Sequence, residues 1–352
     1  MSSVYDKIRS MHELVVPDCW QKIKTIDMHT GGEPLRVIVG GFPKLQGNSV
    51  LEYRNYVKAH YDHLRTAMMF EPRGHADMYG CLMVPPNDLE ADFGILFMHN
   101  EGYSTMCGHA VIAITKLAVQ MGWVDLVEPE TKLVIDAPCG RIEAYAKSEK
   151  CSVKSVYFDG VPSFVAGLNQ EVDVPGIGLV QYDLAYGGAF YAYVDAEAIG
   201  LSLDRSNYET MIRWGKKVKA SVNASSGLIE HPFEEDLSFL YGTIFIGPTE
   251  TPGVHSKNVC VFAEGEVDRS PTGSGVSGRM AIHRARGEIN PGETIKIESI
   301  TGSVFSGSVR EDTSFGPHEA VIPRVEGNAY VVGKNELLID PQDSFKDGFI
   351  FR

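Results

Sequence analysis

Apolar and polar positions alternate in short runs along most of this chain, and four stretches break that alternation with helical spacing. Residues 24–29 and 35–40 read as strands joined by a tight turn at Gly31-Gly32-Glu33-Pro34, where glycine tolerates unusual φ angles. Residues 51–68 place apolar groups at helical spacing, and residues 94–99 read as a strand. From Ala110 to Gly122 apolar residues occur on every side, which predicts a central helix. Residues 131–166 alternate as strands with turns at Pro138-Cys139-Gly140 and Asp159-Gly160, and residues 185–194 read as one strand containing a glycine pair. An amphipathic helix follows near 203–222, then strands at 239–247 and 258–263 and a helix over 275–286. The remainder, 294–352, reads as short strands between glycine-rich turns. Many strands with one buried helix in each half predict an α+β fold whose sheets wrap a helix.

The two halves echo each other. Tyr79-Gly80 matches Tyr241-Gly242, Glu101-Gly102 matches Glu264-Gly265, and Cys107 matches Thr272, at offsets of 162, 163 and 165 positions in a chain of 352. A period this long predicts two similar lobes facing each other and excludes a solenoid of short repeats. No Pro/Ser-rich linker separates them, so the lobes are expected to be closely joined.

With 43% hydrophobic and 22% charged residues the chain has the composition of a globular protein long enough for two cores. Its net charge of −14 argues against nucleic acid or an anionic membrane as partner, since both require a basic face. No apolar stretch approaches the roughly 20 residues that span a bilayer, and the first residues lack a secretory core, so the expected compartment is the cytoplasm. The six cysteines show no CxxC spacing and the histidines no HExxH spacing, so neither a disulfide framework nor a metal site is signalled. Cys81 and Cys260 lie in strand-like apolar runs and read as small core residues.

Cys107 is different. It opens Met106-Cys-Gly-His-Ala110, and Thr272 occupies the equivalent place in Ser270-Pro-Thr-Gly-Ser-Gly275, each just before a predicted helix. Unpaired N–H groups and the helix dipole there favour a thiolate and hold a carboxylate. Residues 273–278 fit GxGxxG, but Pro271 and a polar run stand where a strand should lead in, so a dinucleotide site is not supported. His109 lies two residues after Cys107 and can present a backbone N–H or an imidazole to the same place. Asp268 reads as a turn residue, a helix cap, or the partner of a ligand's cation. The charged segment Glu71–Tyr79 reads equally as a cleft wall or a solvated loop.

Four motifs then occur in order: Asp27-Met-His-Thr-Gly-Gly-Glu-Pro34, Met106-Cys-Gly-His-Ala110, Tyr186-Gly-Gly-Ala-Phe190 and Asp268-Arg-Ser-Pro-Thr-Gly-Ser-Gly275. Together with the duplication they resemble the proline racemase family, from about residue 24 to 352. The resemblance implies two pseudo-symmetric lobes of the diaminopimelate-epimerase type, each a mostly antiparallel sheet around a central helix, with the active site between them. On the residues themselves, 1–22 read as a leader with Pro17 breaking any helix begun at Tyr5, and the expected lobes run over 23–183, with 336–352 returning to the first, and 184–335. The resemblance also implies a homodimer, an imino-acid substrate and no cofactor. The amides of Gly108, His109, Gly273 and Ser274 are expected at the substrate carboxylate and Asp268 at the ring nitrogen.

Family racemases and epimerases carry a second cysteine where this chain has Thr272, a far weaker acid. The Cys/Thr combination resembles the branch that dehydrates trans-3-hydroxy-L-proline to Δ1-pyrroline-2-carboxylate, with Cys107 as the base and Thr272 hydrogen-bonding nearby. Two other readings stay open on the sequence: a racemase or hydroxyproline epimerase using water behind Thr272, and a non-catalytic imino-acid binding protein.

Overall fold

The computed structural model describes residues 3–11 and 14–351; of the leader expected at 1–22, residues 1, 2, 12 and 13 lie outside the described residues, as does Arg352 of the C-terminal segment. An exposed helix, α1 (Val4–Ser10), begins at a capping box between Ser3 and Asp6. The body then starts with β1 (Gln21–Thr30) and β2 (Glu33–Gly40) and continues through α2 (Val50–His60), α3 (Asp62–Met69), β3 (Tyr79–Val84), β4 (Phe93–His99) and β5 (Gly102–Ser104). Helix α4 (Gly108–Gln120), β6 (Glu130–Ala137), β7 (Gly140–Glu149) and β8 (Ser152–Asp159) complete the first half. The second half contains β9 (Ser163–Val174), β10 (Gly178–Tyr186), β11 (Phe190–Asp195), α5 (Tyr208–Ser225), β12 (Leu240–Gly247), β13 (Ser256–Phe262), β14 (Glu266–Val267) and α6 (Gly273–Ala285). Four more strands, β15 (Thr294–Glu298), β16 (Val304–Phe315), β17 (His318–Gly327) and β18 (Ala329–Ile339), end the fold.

One set of strand pairings occurs twice. In the first half β1 pairs antiparallel with β18 and β2, β2 parallel with β3, β3 antiparallel with β4, and β4 antiparallel with β5 and parallel with β6; β6, β7 and β8 follow antiparallel. The second half repeats this through β9 and β11 about β10, then β12, β13, β14, β15, β16 and β17, with the same senses throughout. Strand β17 joins the halves by pairing with β8 and β9. β18 crosses back to lie along all of β1, from Gln21 opposite Ile339 to Thr30 opposite Ala329. The fold is α+β.

Each half wraps a buried helix. In α4 every residue from Gly108 to Val119 is buried, as its all-round apolar sequence dictates. Helix α6 is equally buried from Gly273 to His283, although it is rich in Gly, Ser and Arg. Its polar groups are satisfied internally: Ser277 donates to the Gly273 carbonyl, and Arg279 donates to Ser256 and Asn258.

Three local expectations need correction. The stretch 185–194 is a hairpin, not one strand: β10 and β11 flank a turn at Gly187-Gly188, with Gly188 at φ 96°. Gly187 packs against α6, where a Cβ would lie 2.2 Å from the Ser274 carbonyl oxygen. The helix at 51–68 is two helices, because Tyr61 leaves helical geometry at φ −131° and ψ 19°. After residue 294 the strands are not short: β16, β17 and β18 have 12, 10 and 11 residues, lengthened by pairing with partners distant in sequence.

Candidate active site

The two buried helices meet at their N-termini. Their N-cap residues are Cys107 and Thr272, the pair singled out by the internal match. The approach is so close that a Cβ on Gly108 would lie 2.6 Å from the Cα of Gly273, and the reverse distance is also 2.6 Å. Only glycine fits on both sides, so the first turns converge and their N–H groups face one small volume.

The two caps are wired differently. Cys107 is extended, at φ −148°, and its sulfur accepts the Ala110 N–H at 3.4 Å. Thr272 is held at φ 67°, a conformation costly for a β-branched residue, and its hydroxyl does not cap its own helix. Instead Thr272 Oγ1 donates to Asp268 Oδ2 at 2.8 Å, while Asp268 Oδ1 accepts the Ser270 N–H at 2.7 Å. The loop is also tied by the Thr272 N–H to Ser270 Oγ at 3.1 Å and by Asn258 to the Pro271 carbonyl at 3.1 Å.

One buried cavity between the helix N-termini is lined by Cys107, Gly108, His109, Asp268, Thr272, Gly273 and Ser274, all seven residues named from the sequence. Sulfur and alcohol therefore open on the same space. Tyr79, Met106, Tyr191, Tyr241, Cys260 and Phe262 complete the wall. A wider open cleft near Arg284, Asp312 and His318 shares no residue with this cavity, and its Arg284 and Asp312 are engaged in a bidentate ion pair.

Burial dominates the electrostatics. It pushes the Cys107 thiol well above its ordinary value, against the stabilising Ala110 N–H and Tyr79 hydroxyl, so the helix N-terminus alone does not make the resting thiolate expected from the sequence. His109 Nδ1 stands 3.1 Å from the sulfur, and burial pushes this imidazole down to about 3. A neutral imidazole carries one proton, so Nδ1 accepts from the thiol when that proton sits on Nε2. Burial also lifts Asp268 to about 6. Behind Asp268, Glu33 is fully buried and pushed well up by burial and by the Asp268 charge. Its Oε2 accepts the Arg269 N–H at 2.7 Å and its Oε1 has no hydrogen-bond partner among the described residues.

Several wall residues carried no functional reading in the sequence. Cys260, taken there as core, reaches the cavity because it and Phe262 lie two residues apart on one face of β13. Cys81 stays in the core. Tyr191 reaches the wall from β11 and shares a 2.8 Å hydrogen bond with Ser274 Oγ. Of the segment 71–79, Tyr79 lines the cavity, and Asp77 pairs with Arg269 at 2.7 Å. Among the described residues no group of three His, Cys, Asp or Glu side chains is placed to hold a metal ion, and no helix is long and apolar enough to cross a membrane.

A family model described as "Proline racemase" matches residues 25–350. Over 98% of this chain and 97% of its own length, a protein of Colwellia psychrerythraea named trans-3-hydroxy-L-proline dehydratase is 51% identical. A Burkholderia multivorans protein named 3-hydroxyproline 2-epimerase is 46% identical over 94% of this chain and 99% of its own length. Among solved structures, a hydroxyproline epimerase from Agrobacterium vitis with bound trans-4-hydroxy-L-proline superposes with a TM-score of 0.87 at 29% identity, covering 94% of this chain and 96% of that one.

Proposed function

This chain belongs to the proline racemase family, and from that premise we propose that it dehydrates trans-3-hydroxy-L-proline to Δ1-pyrroline-2-carboxylate. One observation carries the reading: opposite Cys107 stands an alcohol, Thr272, whose only proton is committed to Asp268. A group so engaged is a poor acid for returning a proton to the far face of Cα, so a carbanion formed there goes forward by losing its 3-hydroxyl.

The substrate carboxylate sits on the N–H groups of Gly108, His109, Gly273 and Ser274, where two helix dipoles converge. These amides also stabilise the charge that spreads into the carboxylate as the Cα proton leaves. Asp268 faces the cationic ring nitrogen. That cation lowers the cost of a buried thiolate, so substrate entry ionises Cys107, His109 Nδ1 being the nearest acceptor for its proton. The thiolate then removes the Cα proton, the C3–O bond breaks, and the resulting enamine tautomerises to the imine. Thr272, its proton engaged, faces the ring as a hydrogen-bond acceptor.

The repeated pairings and the return of β18 to β1 support two diaminopimelate-epimerase-like lobes at 23–183 and 184–335, with 336–352 returning to the first. We carry over from the family a homodimer acting in the cytoplasm on an imino acid, with no cofactor in the chemistry; light scattering on the purified protein tests the dimer.

Epimerisation through water at Thr272 is the second reading, favoured by the 46% identical relative named as an epimerase. Product identification by NMR after incubation with trans-3-hydroxy-L-proline separates the two: the pyrroline supports dehydration, and the cis-3-hydroxy-D isomer supports epimerisation. Binding without either product supports a non-catalytic role.

A further inference from the structure

Expulsion of the 3-hydroxyl needs a proton, and the substrate's stereochemistry fixes the side from which it comes. In trans-3-hydroxy-L-proline the carboxylate and the hydroxyl lie on opposite ring faces. The Cα hydrogen is opposite the carboxylate, so hydrogen and hydroxyl share a face. A base that takes that hydrogen therefore stands on the same side as the leaving oxygen, and the acid must stand there too. This removes Thr272 and Asp268, which belong to the opposing loop, and leaves the groups around Cys107.

Among those groups Tyr79 has the right placement. It lines the cavity from β3, in the same half as Cys107, and is 3% exposed. Its ring stands edge-on to His109, with centroids 4.8 Å apart at 72°. Its hydroxyl hydrogen-bonds to Ser104 and interacts with both the Cys107 sulfur and the Tyr241 hydroxyl. The internal duplication pairs Tyr79 with Tyr241 as it pairs Cys107 with Thr272, so each half brings one phenol and one cap residue to the same cavity. Burial keeps the Tyr79 phenol protonated, as a donor must be.

We propose, building on the dehydratase reading, that Tyr79 is the general acid that protonates the leaving 3-hydroxyl. The proton balance closes within the site. Cys107 as thiolate takes the Cα proton and becomes the thiol; Tyr79 gives its phenolic proton to the departing oxygen as the C3–O bond breaks, releasing water. The resulting tyrosinate takes the proton from the adjacent Cys107 thiol, and both groups return to their starting forms. The proton removed from Cα thus ends on the phenol, by way of the thiol, in place of the one that left in water.

The test compares wild type with Tyr79→Phe on two substrates, trans-3-hydroxy-L-proline and trans-3-chloro-L-proline, whose chloride leaves without a proton. The expected result is a fall in dehydration about 10²-fold or more greater than the fall in chloride elimination, since general acid catalysis is worth roughly that much and the loss of the phenol's stabilising contact with the Cys107 sulfur is common to both substrates. Retained chloride elimination also shows that the variant is folded and that Cys107 still ionises. Equal loss on both substrates overturns the proposal, because Tyr79 then serves Cys107 or the fold, and so does an unchanged dehydration rate. Failure of the dehydratase reading shows separately, as a wild type that forms no pyrroline.

Discussion

Thr272 Oγ1 donates its proton to Asp268 Oδ2 at 2.8 Å, and this bond distinguishes the two caps that face each other across the cavity. A cysteine at 272 would put a second thiol there, and a thiol is the better proton donor to carbon. Thr272→Cys is therefore expected to produce the C2-inverted 3-hydroxyproline, detectable by chiral chromatography, while dehydration falls. A variant that makes only pyrroline would show that the alcohol does not decide the outcome.

Cys107→Ser replaces the base by a hydroxyl that stays protonated at working pH, while the helix amides around the carboxylate remain. Turnover should fall by about 10³-fold or more, with ligand affinity measured calorimetrically changed by less than tenfold. A comparable loss of affinity would mean that the sulfur holds the substrate and does not act as its base.

Gly108→Ala inserts a methyl group 2.6 Å from the Gly273 Cα, which is backbone, and 3.0 Å from the ring of the fully buried Phe158, so neither neighbour can readily yield. The helix N-termini must separate, costing about 1–3 kcal/mol of stability in thermal or denaturant unfolding. Activity is expected to fall further than stability, since the amides no longer converge on one carboxylate.

Asp268 supplies a pH dependence with opposite signs for activity and stability. Burial lifts its pKa from 3.8 to about 6. Only the ionised form holds the substrate's cation, so kcat/KM should rise with pH through about 6. The folded state keeps this proton to higher pH than the unfolded chain does. The carboxyl's contribution to stability is therefore full below about 4 and is lost as pH rises through about 6. Asp268→Asn should remove the acidic limb of the rate profile and raise KM at pH 7 at least tenfold; a profile that keeps its limb would assign it to another group.

Much of this was legible in the chain. Helix α4 is apolar on every side, which specifies burial directly, and the Cys107/Thr272 match located the second cap in a helix whose Gly, Ser and Arg content hides its burial. What escaped depends on contacts between halves. Gly187 ends a strand-like run because α6 lies against it, and Cys260 faces the cavity because of the side of β13 on which it falls. Alternation shows that Cys260 and Phe262 share a face but not what that face meets. Glu33 was visible within the Gly-Gly-Glu-Pro turn, yet its burial beside Asp268 arises only when residues more than two hundred positions apart fold together.

The central claim is that one sulfur base works against an alcohol that returns no proton, and NMR of trans-3-hydroxy-L-proline turnover in D2O tests it most directly. The predicted result is steady formation of Δ1-pyrroline-2-carboxylate while the remaining substrate shows no inverted isomer at any stage. Build-up of the C2-inverted isomer carrying deuterium at Cα, at a rate comparable with product formation, would contradict it.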